Sequence, residues 1–246
     1  MNQLDVMLKV KIRVNLGLIL LMLMVSASSS GAEFRILSGL NSVDIADLAP
    51  PKDTDMDAQK ADHKISYDFM KNRTPDQCRY AEIAAKMDLS VVFVKPLGPL
   101  EKSEVEPYLE IFDSAKNDAV MISRSVKEKF QRERPFVKYS DEIKPCAVSS
   151  KTTSFPSSHA TLSRLVARLF SEIYPDRAEL LLEVSNDIAL SRVIAGVHFQ
   201  SDIEAGKKLG DRVFEVMKKD PEFYQCLESL TGCEKFVIKE TPGGAH

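Results

Sequence analysis

Apolar positions recur at three- and four-residue spacing over residues 62–72, 76–87, 104–116 and 117–130, and predict a helix in each stretch. The clearest helix opens after Pro156. Leu162, Leu165, Val166, Leu169, Phe170 and Ile173 share one face of it, and Pro175 ends it. A second helix runs from about Arg177 to Ile194 with Leu181, Val184 and Ile188 as its apolar positions, and a third starts near Gln200 and continues through Ile203, Leu209, Val213 and Met217. Residues 221–238 read as a short C-terminal helix with a frayed tail. The apolar run Val91–Val94, ended by Pro96, Gly98 and Pro99, fits a strand, a buried loop or a helix end equally well. Few segments alternate long enough to build a sheet. The pattern therefore predicts an all-α fold, a single-domain helical bundle over residues 63–240. An irregular arm at 33–62, marked by Pro50-Pro51 and several Asp, precedes it.

The first 32 residues have a different character. Lys9, Lys11 and Arg13 precede a run from Val14 to Val25 that is apolar apart from Asn15, and a small-residue stretch from Ser26 to Ala32 follows. Positive head, short apolar middle and small-residue exit make a secretory signal peptide, with cleavage expected after Ala32 and cleavage after Ala27 as the alternative. The apolar run is shorter than the roughly 20 residues that span a bilayer, and no later segment is long and apolar enough. The mature chain is therefore expected to be soluble, periplasmic or secreted. A net charge of −3, with 33 basic and 36 acidic residues, offers no basic surface for nucleic acid.

Export changes the reading of the cysteines. Cys78, Cys146, Cys226 and Cys233 are an even set in an oxidising compartment. The close spacing of Cys226 and Cys233 suggests a local staple, which leaves Cys78 with Cys146. A zinc site is the weaker alternative, because no CxxC spacing occurs and no His lies near these cysteines.

Three segments carry candidate chemistry. In the first, Lys127 and Arg134 are seven apart, so a continuous helix would place both on one face, and Pro135 would close it. Lys129 and Arg132 lie between them, so this segment alone reads as a solvated basic face. In the second, Pro156-Ser157-Ser158-His159 opens the best helix, whose start presents free N–H groups and the positive end of the macrodipole to an anion. In the third, Ser191-Arg192 is followed by His198 and, four residues later, Asp202. That carboxylate is placed to take the proton of one imidazole nitrogen and leave the other bare, which makes a histidine nucleophilic. Each segment is ordinary alone.

Together, in this order, they resemble the signature of the type 2 phosphatidic-acid phosphatase superfamily: Lys-x6-Arg-Pro, Pro-Ser-Gly-His, and Ser-Arg-x5-His-x3-Asp. The chain departs at Ser158, where the family has Gly. The stretch from Arg134 to Phe223 further resembles the bacterial class A non-specific acid phosphatases through Arg134-Pro135-Phe136, Cys146, Ser191-Arg192-Val193-Ile194, Gln200-Ser201-Asp202 and Asp220-Pro221-Glu222-Phe223.

The resemblance implies an acid phosphatase acting on small phosphate monoesters of broad range through a phosphohistidine intermediate. Lys127, Arg134 and Arg192 would neutralise the phosphate oxygens, with Ser157 and the Ser158 N–H completing the cradle. His198 would attack phosphorus, oriented by Asp202, and His159 would protonate the leaving oxygen. No metal or other cofactor is called for, inorganic phosphate and vanadate are implied as inhibitors, and a homodimer is allowed. If the family's Gly contributes only its N–H to the phosphate, Ser158 can do the same at a helix start and activity is expected to survive; if it serves left-handed geometry or room, Ser158 would narrow the pocket or slow the enzyme. Two rivals share these motifs: an exported phosphate-binding helical protein disabled by Ser158, and a vanadate-dependent peroxidase. A membrane lipid phosphatase shares them too, but the spans it needs are missing.

Overall fold

The computed structural model describes residues 33–95, 98, 102–147 and 152–237. The expected signal peptide, residues 1–32, and the end of the chain after residue 237 lie outside the described residues. Among these the elements are helical: α1 Met56–Asn72, α2 Pro75–Ala85, a π-helical turn Ser90–Val94, α3 Lys102–Phe130, α4 Pro135–Lys138, α5 Ser158–Ile173, α6 Ala178–Ile194, α7 Gln200–Lys218 and α8 Pro221–Ser229. No strand occurs among the described residues, so the fold is all-α. The ambiguous run at 91–94 is the π-helical turn, with Val92 and Phe93 buried.

Local chemistry sets the helix starts. The Asp55 carboxylate accepts from the Ala58 N–H at the head of α1. Thr74 and Gln77 form a reciprocal capping box at α2, with Pro75 in its first turn. Asp220 caps α8 ahead of Pro221. Helix α1 begins at Met56, inside the segment read as an irregular arm to residue 62.

The four central helices are α3, α5, α6 and α7, with α5 packed against the other three. α5 buries Leu165, Val166, Leu169 and Phe170, and Phe170 meets Phe112 of α3 edge-on with ring centroids 4.6 Å apart. Each buried ring of this kind contributes about 1.5–3 kcal/mol. α5 and α7 approach unusually closely. A Cβ on Gly206 would lie 2.5 Å from the Ser157 carbonyl oxygen, and one on Gly210 would lie 2.5 Å from that of Thr161.

The sequence pattern predicts two helices over 104–130, but the structure has a single 29-residue helix there. The polar run Lys116-Asn117-Asp118 interrupts the apolar stripe without breaking the backbone. Asp118 is fully buried because its carboxylate accepts the N–H groups of Arg35 (2.9 Å), Ile36 (2.8 Å) and Leu37 (2.8 Å), so the arm supplies its partners. Two disulfides are present. Cys78–Cys146 ties α2 to the segment after α4, with an S–S distance of 2.10 Å. Cys226–Cys233 staples the end of α8.

Candidate active site

The site forms where the N-terminal ends of α5 and α7 meet the C-terminal end of α3. Lys127 and Arg134 do not share one helix face as the spacing suggests. α3 ends at Phe130, Gln131 takes a left-handed φ of 49°, and Arg134 stands outside the helix in extended backbone, preceding the short α4. The two cations converge because the chain turns, not because a helix repeats.

The basic groups are anchored by backbone carbonyls. Lys127 Nζ donates to the carbonyls of Thr153 (2.8 Å), Ser154 (3.2 Å) and Pro156 (2.6 Å), which uses all three of its protons to shape the segment leading into α5. Arg134 donates to the carbonyls of Thr152 and Val197, each at 2.8 Å. Arg192, 1% exposed near the end of α6, donates to the Ala81 carbonyl of α2 at 2.8 Å. Burial and mutual repulsion make these charges costly. Desolvation, then the nearby Arg134, lowers Lys127 to about 7, and burial lowers Arg134 and Arg192 to about 10. A cage of positive charge that is expensive when empty is one that an oxyanion relieves.

Ser157 is the N-cap of α5, fully buried, and its hydroxyl accepts the Ala160 N–H. Its own N–H donates to the Asp202 carbonyl at 3.0 Å, which ties the start of α5 to the start of α7. Ser158 stands in the first turn of α5 in ordinary helical backbone, not the left-handed region. Its hydroxyl pairs at 2.8 Å with that of Ser123, a buried residue of α3. No left-handed glycine is therefore required here, and the extra side chain has a polar partner waiting.

His198, 2% exposed, lies between Arg134 and Asp202. Its Nε2 is 3.0 Å from Arg134 Nη1 and its Nδ1 is 3.4 Å from Asp202 Oδ2. A guanidinium only donates, so Nε2 must be the bare nitrogen, and the proton resides on Nδ1, facing the carboxylate. Burial first, then Arg134, Lys127, Arg192 and His159, hold His198 well below the usual imidazole range. The imidazole therefore stays neutral beside Asp202. Asp202 is itself raised by burial and counter-stabilised by Arg132 and by the Phe199 N–H at 2.9 Å.

His159, in the first turn of α5, keeps some exposed surface but is ringed by protein, and its Nε2 is 3.0 Å from the Ala85 carbonyl at the end of α2. A carbonyl only accepts, so Nε2 carries a proton and Nδ1 is the nitrogen free to gain or lose one. Burial and then Arg192 push it down to about 4, with Arg134 and Lys127 adding to the effect. Lys127, Arg134, Arg192, His159 and His198 thus sit within electrostatic reach of one another. The cations and imidazoles that the motif resemblance implies are brought together.

Sequence reasoning missed Arg132, which looked like part of a solvated face. Its side chain is only 8% exposed, with Nη1 2.6 Å from Asp202 Oδ1 and Nη2 2.8 Å from Asp62 of α1. Its only sequence signal is its place between the two motif cations. Among the described residues no group of three His, Cys, Asp or Glu is placed to hold a metal ion, and no helix is long and apolar enough to cross a membrane.

A cluster of buried cations with two imidazoles, one of them bare at a nitrogen, has the chemistry to hold an oxyanion such as phosphate. The sequence profile of the PAP2 superfamily matches residues 118–217, which carry all three motif segments. The non-specific acid phosphatase of Salmonella typhimurium is 30% identical over 209 residues, covering 78% of this chain and 82% of that protein. The protein of the same description from Providencia stuartii is 30% identical over 133 residues, and the alignment spans about half of each chain, 52% and 53%. Among solved structures, a transmembrane PAP2-type phosphatidylglycerolphosphate phosphatase from Bacillus subtilis aligns with a TM-score of 0.46 and 21% identity, over 66% of this chain and 85% of that one. The chain belongs to the PAP2 superfamily, among its non-specific acid phosphatases, and is an enzyme of that kind.

Proposed function

We propose that this protein hydrolyses small phosphate monoesters of broad range through a phosphohistidine on His198, and that it does so outside the cytoplasm. One observation carries the reading: the Arg134 guanidinium occupies one side of His198 and Asp202 the other, which leaves an unprotonated Nε2 inside a cationic cage.

The substrate phosphate settles against the N-terminus of α5, where Ser157 and the Ser158 N–H complete the cradle, and Lys127, Arg134 and Arg192 balance its charge. His198 Nε2 attacks phosphorus while the P–O bond to the leaving group breaks, and His159 gives its proton to that oxygen. The His198 imidazole, now carrying phosphorus on Nε2 and a proton on Nδ1, is cationic, and Asp202 stabilises it. Water then attacks phosphorus, the N–P bond breaks, His159 takes the water proton, and inorganic phosphate leaves.

His159 is neutral above about 4 in the empty site. An incoming phosphate anion cancels the neighbouring positive charge and lifts this value, so bound substrate itself helps charge the acid. Turnover should then favour weakly acidic pH. The two disulfides fit an oxidising compartment and so support export.

The test is hydrolysis of a generic aryl phosphate across pH, comparing wild type with His198→Ala and Ser158→Gly. Loss of turnover in His198→Ala, with an acidic optimum in wild type, supports the reading. An active His198→Ala protein, or a profile rising steadily to about pH 9, contradicts it. Phosphate binding without turnover in wild type would favour the disabled-binder alternative.

A further inference from the structure

We propose that Arg132 and Asp62 are positioning residues for the phosphatase site, a buried Asp62–Arg132–Asp202 chain through which α1 holds the carboxylate that orients His198. This inference rests on the roles proposed for His198 and Asp202.

The chain is continuous in space although its ends are 140 residues apart. Arg132 Nη1 donates to Asp202 Oδ1 at 2.6 Å and to the Ser201 hydroxyl at 2.8 Å, while Nη2 donates to Asp62 Oδ2 at 2.8 Å. Asp62 closes the loop: Oδ1 accepts the Ser201 N–H at 3.0 Å, and Oδ2 also takes the Ser201 hydroxyl in a short bond. The guanidinium lies over the Phe199 ring, 4.2 Å from its centroid. The three charged side chains are 8% (Arg132), 7% (Asp62) and 0% (Asp202) exposed, so the network sits in protein rather than water.

The division of labour on Asp202 is what matters. Oδ1 is taken by Arg132, whereas Oδ2 accepts the Phe199 N–H and faces His198 Nδ1. With one oxygen held by the Arg132 Nη1 and the other by the Phe199 N–H, the carboxylate is kept facing the imidazole. Arg132 also opposes the burial that pushes Asp202 toward its neutral form, which could no longer stabilise a cationic phosphohistidine. Asp62 then balances Arg132, so the assembly behind His198 carries one net negative charge. The groups facing Asp202 are Lys127, Arg132, Arg134 and His198. On its outer side Arg132 borders a cavity of about 400 Å³, where Lys52, Asp53, Glu133 and Lys138 are the charged neighbours.

The experiment compares the pH profiles of kcat and kcat/KM for aryl phosphate hydrolysis in wild type, Asp202→Asn, Arg132→Gln, Arg132→Lys and Asp62→Asn, with circular dichroism as the check on folding. Arg132→Gln should lower kcat about 10- to 100-fold with little change in KM, a size typical of partners behind a functional side chain. Its acid limb should move to higher pH, because Asp202 loses the charge that keeps it ionised. Arg132→Lys should return the acid limb toward wild type while leaving kcat depressed. Asp62→Asn keeps size and one acceptor, so it tests the outer residue if Arg132→Gln does not fold, and it should lower kcat several-fold. A uniform loss of activity with an unmoved acid limb in Arg132→Gln, or wild-type kcat in Asp62→Asn, overturns the proposal. Wild-type turnover in Asp202→Asn would instead sink the reading on which it depends, and this proposal with it.

Discussion

Adding one methyl group at Gly206 probes how closely the phosphate cradle is tied to helix packing. A Cβ there would meet the Ser157 carbonyl oxygen at 2.5 Å and the Ala160 Cβ at 2.8 Å, distances at which atoms must shift. Ordinary carbon contacts sit near 3.5–4.0 Å, so α5 and α7 would have to part by roughly 0.7 Å or more. Overpacking of this kind costs about 1–3 kcal/mol, and alanine returns about 1 kcal/mol of helix propensity. Two contacts below 3.0 Å put the cost at the upper end of that range, so the net expectation for Gly206→Ala is a loss of about 2 kcal/mol, or a fall in Tm of about 4–8 °C for a domain of this size. The displaced oxygen belongs to Ser157, so competitive inhibition by inorganic phosphate should also weaken several-fold. Gly210→Ala is the internal control. Its Cβ would crowd the Thr161 carbonyl at 2.5 Å, one turn beyond the cradle, so it should lose similar stability yet keep phosphate affinity. Calorimetry and inhibition assays decide the matter. A Gly206→Ala protein as stable as wild type, or one with the same phosphate inhibition as Gly210→Ala, would refute the reasoning.

Three further outcomes follow from the same structure. His159 is depressed from 6.5 to about 4, so the folded state resists charging it. Its contribution to stability is therefore full above about 6.5 and declines by up to about 3 kcal/mol as pH falls through 4, with His198 acting in the same direction. Thermal melts should show this acid-side decline, and added phosphate should raise Tm most on that side; a pH-independent Tm between 4 and 7 would contradict it. Ser158→Gly removes the bond to Ser123 and should cost about 1 kcal/mol while turnover stays within a few-fold of wild type; a loss of turnover beyond 10-fold would contradict this. Replacing Cys78 and Cys146 by Ser frees α2, whose carbonyls at Ala81 and Ala85 hold Arg192 and His159. Opening that 68-residue separation should cost about 4 kcal/mol and lower kcat, whereas losing Cys226–Cys233, seven residues apart and remote from the site, should leave kcat unchanged in the same assay.

Much of this architecture was legible in the chain, because helices that pack on a core repeat their apolar positions. α5 and α7 are the clearest cases. What periodicity could not show were polar residues made buriable by distant partners. Asp118 looked like a break in α3 because its three N–H donors come from residues 35–37. Arg132 looked solvated because Asp62 and Asp202 are each 70 residues away. The resemblance to the family signature, not spacing alone, pointed to Lys127, Arg134, Ser157, Ser158, His159, Arg192, His198 and Asp202, and the reason that spacing offered for the first two was wrong. The left-handed turn at Gln131, not a shared helix face, brings them together.

The central claim is a covalent one, and a direct trap tests it. Wild-type protein mixed with an aryl phosphate and quenched in base, where phosphohistidine survives, can be digested and mapped by mass spectrometry. The account predicts one phosphoryl group on the peptide holding His198, and none in His198→Ala. A phosphoryl group on any other residue, or an equal yield of phosphoenzyme from His198→Ala, would contradict it.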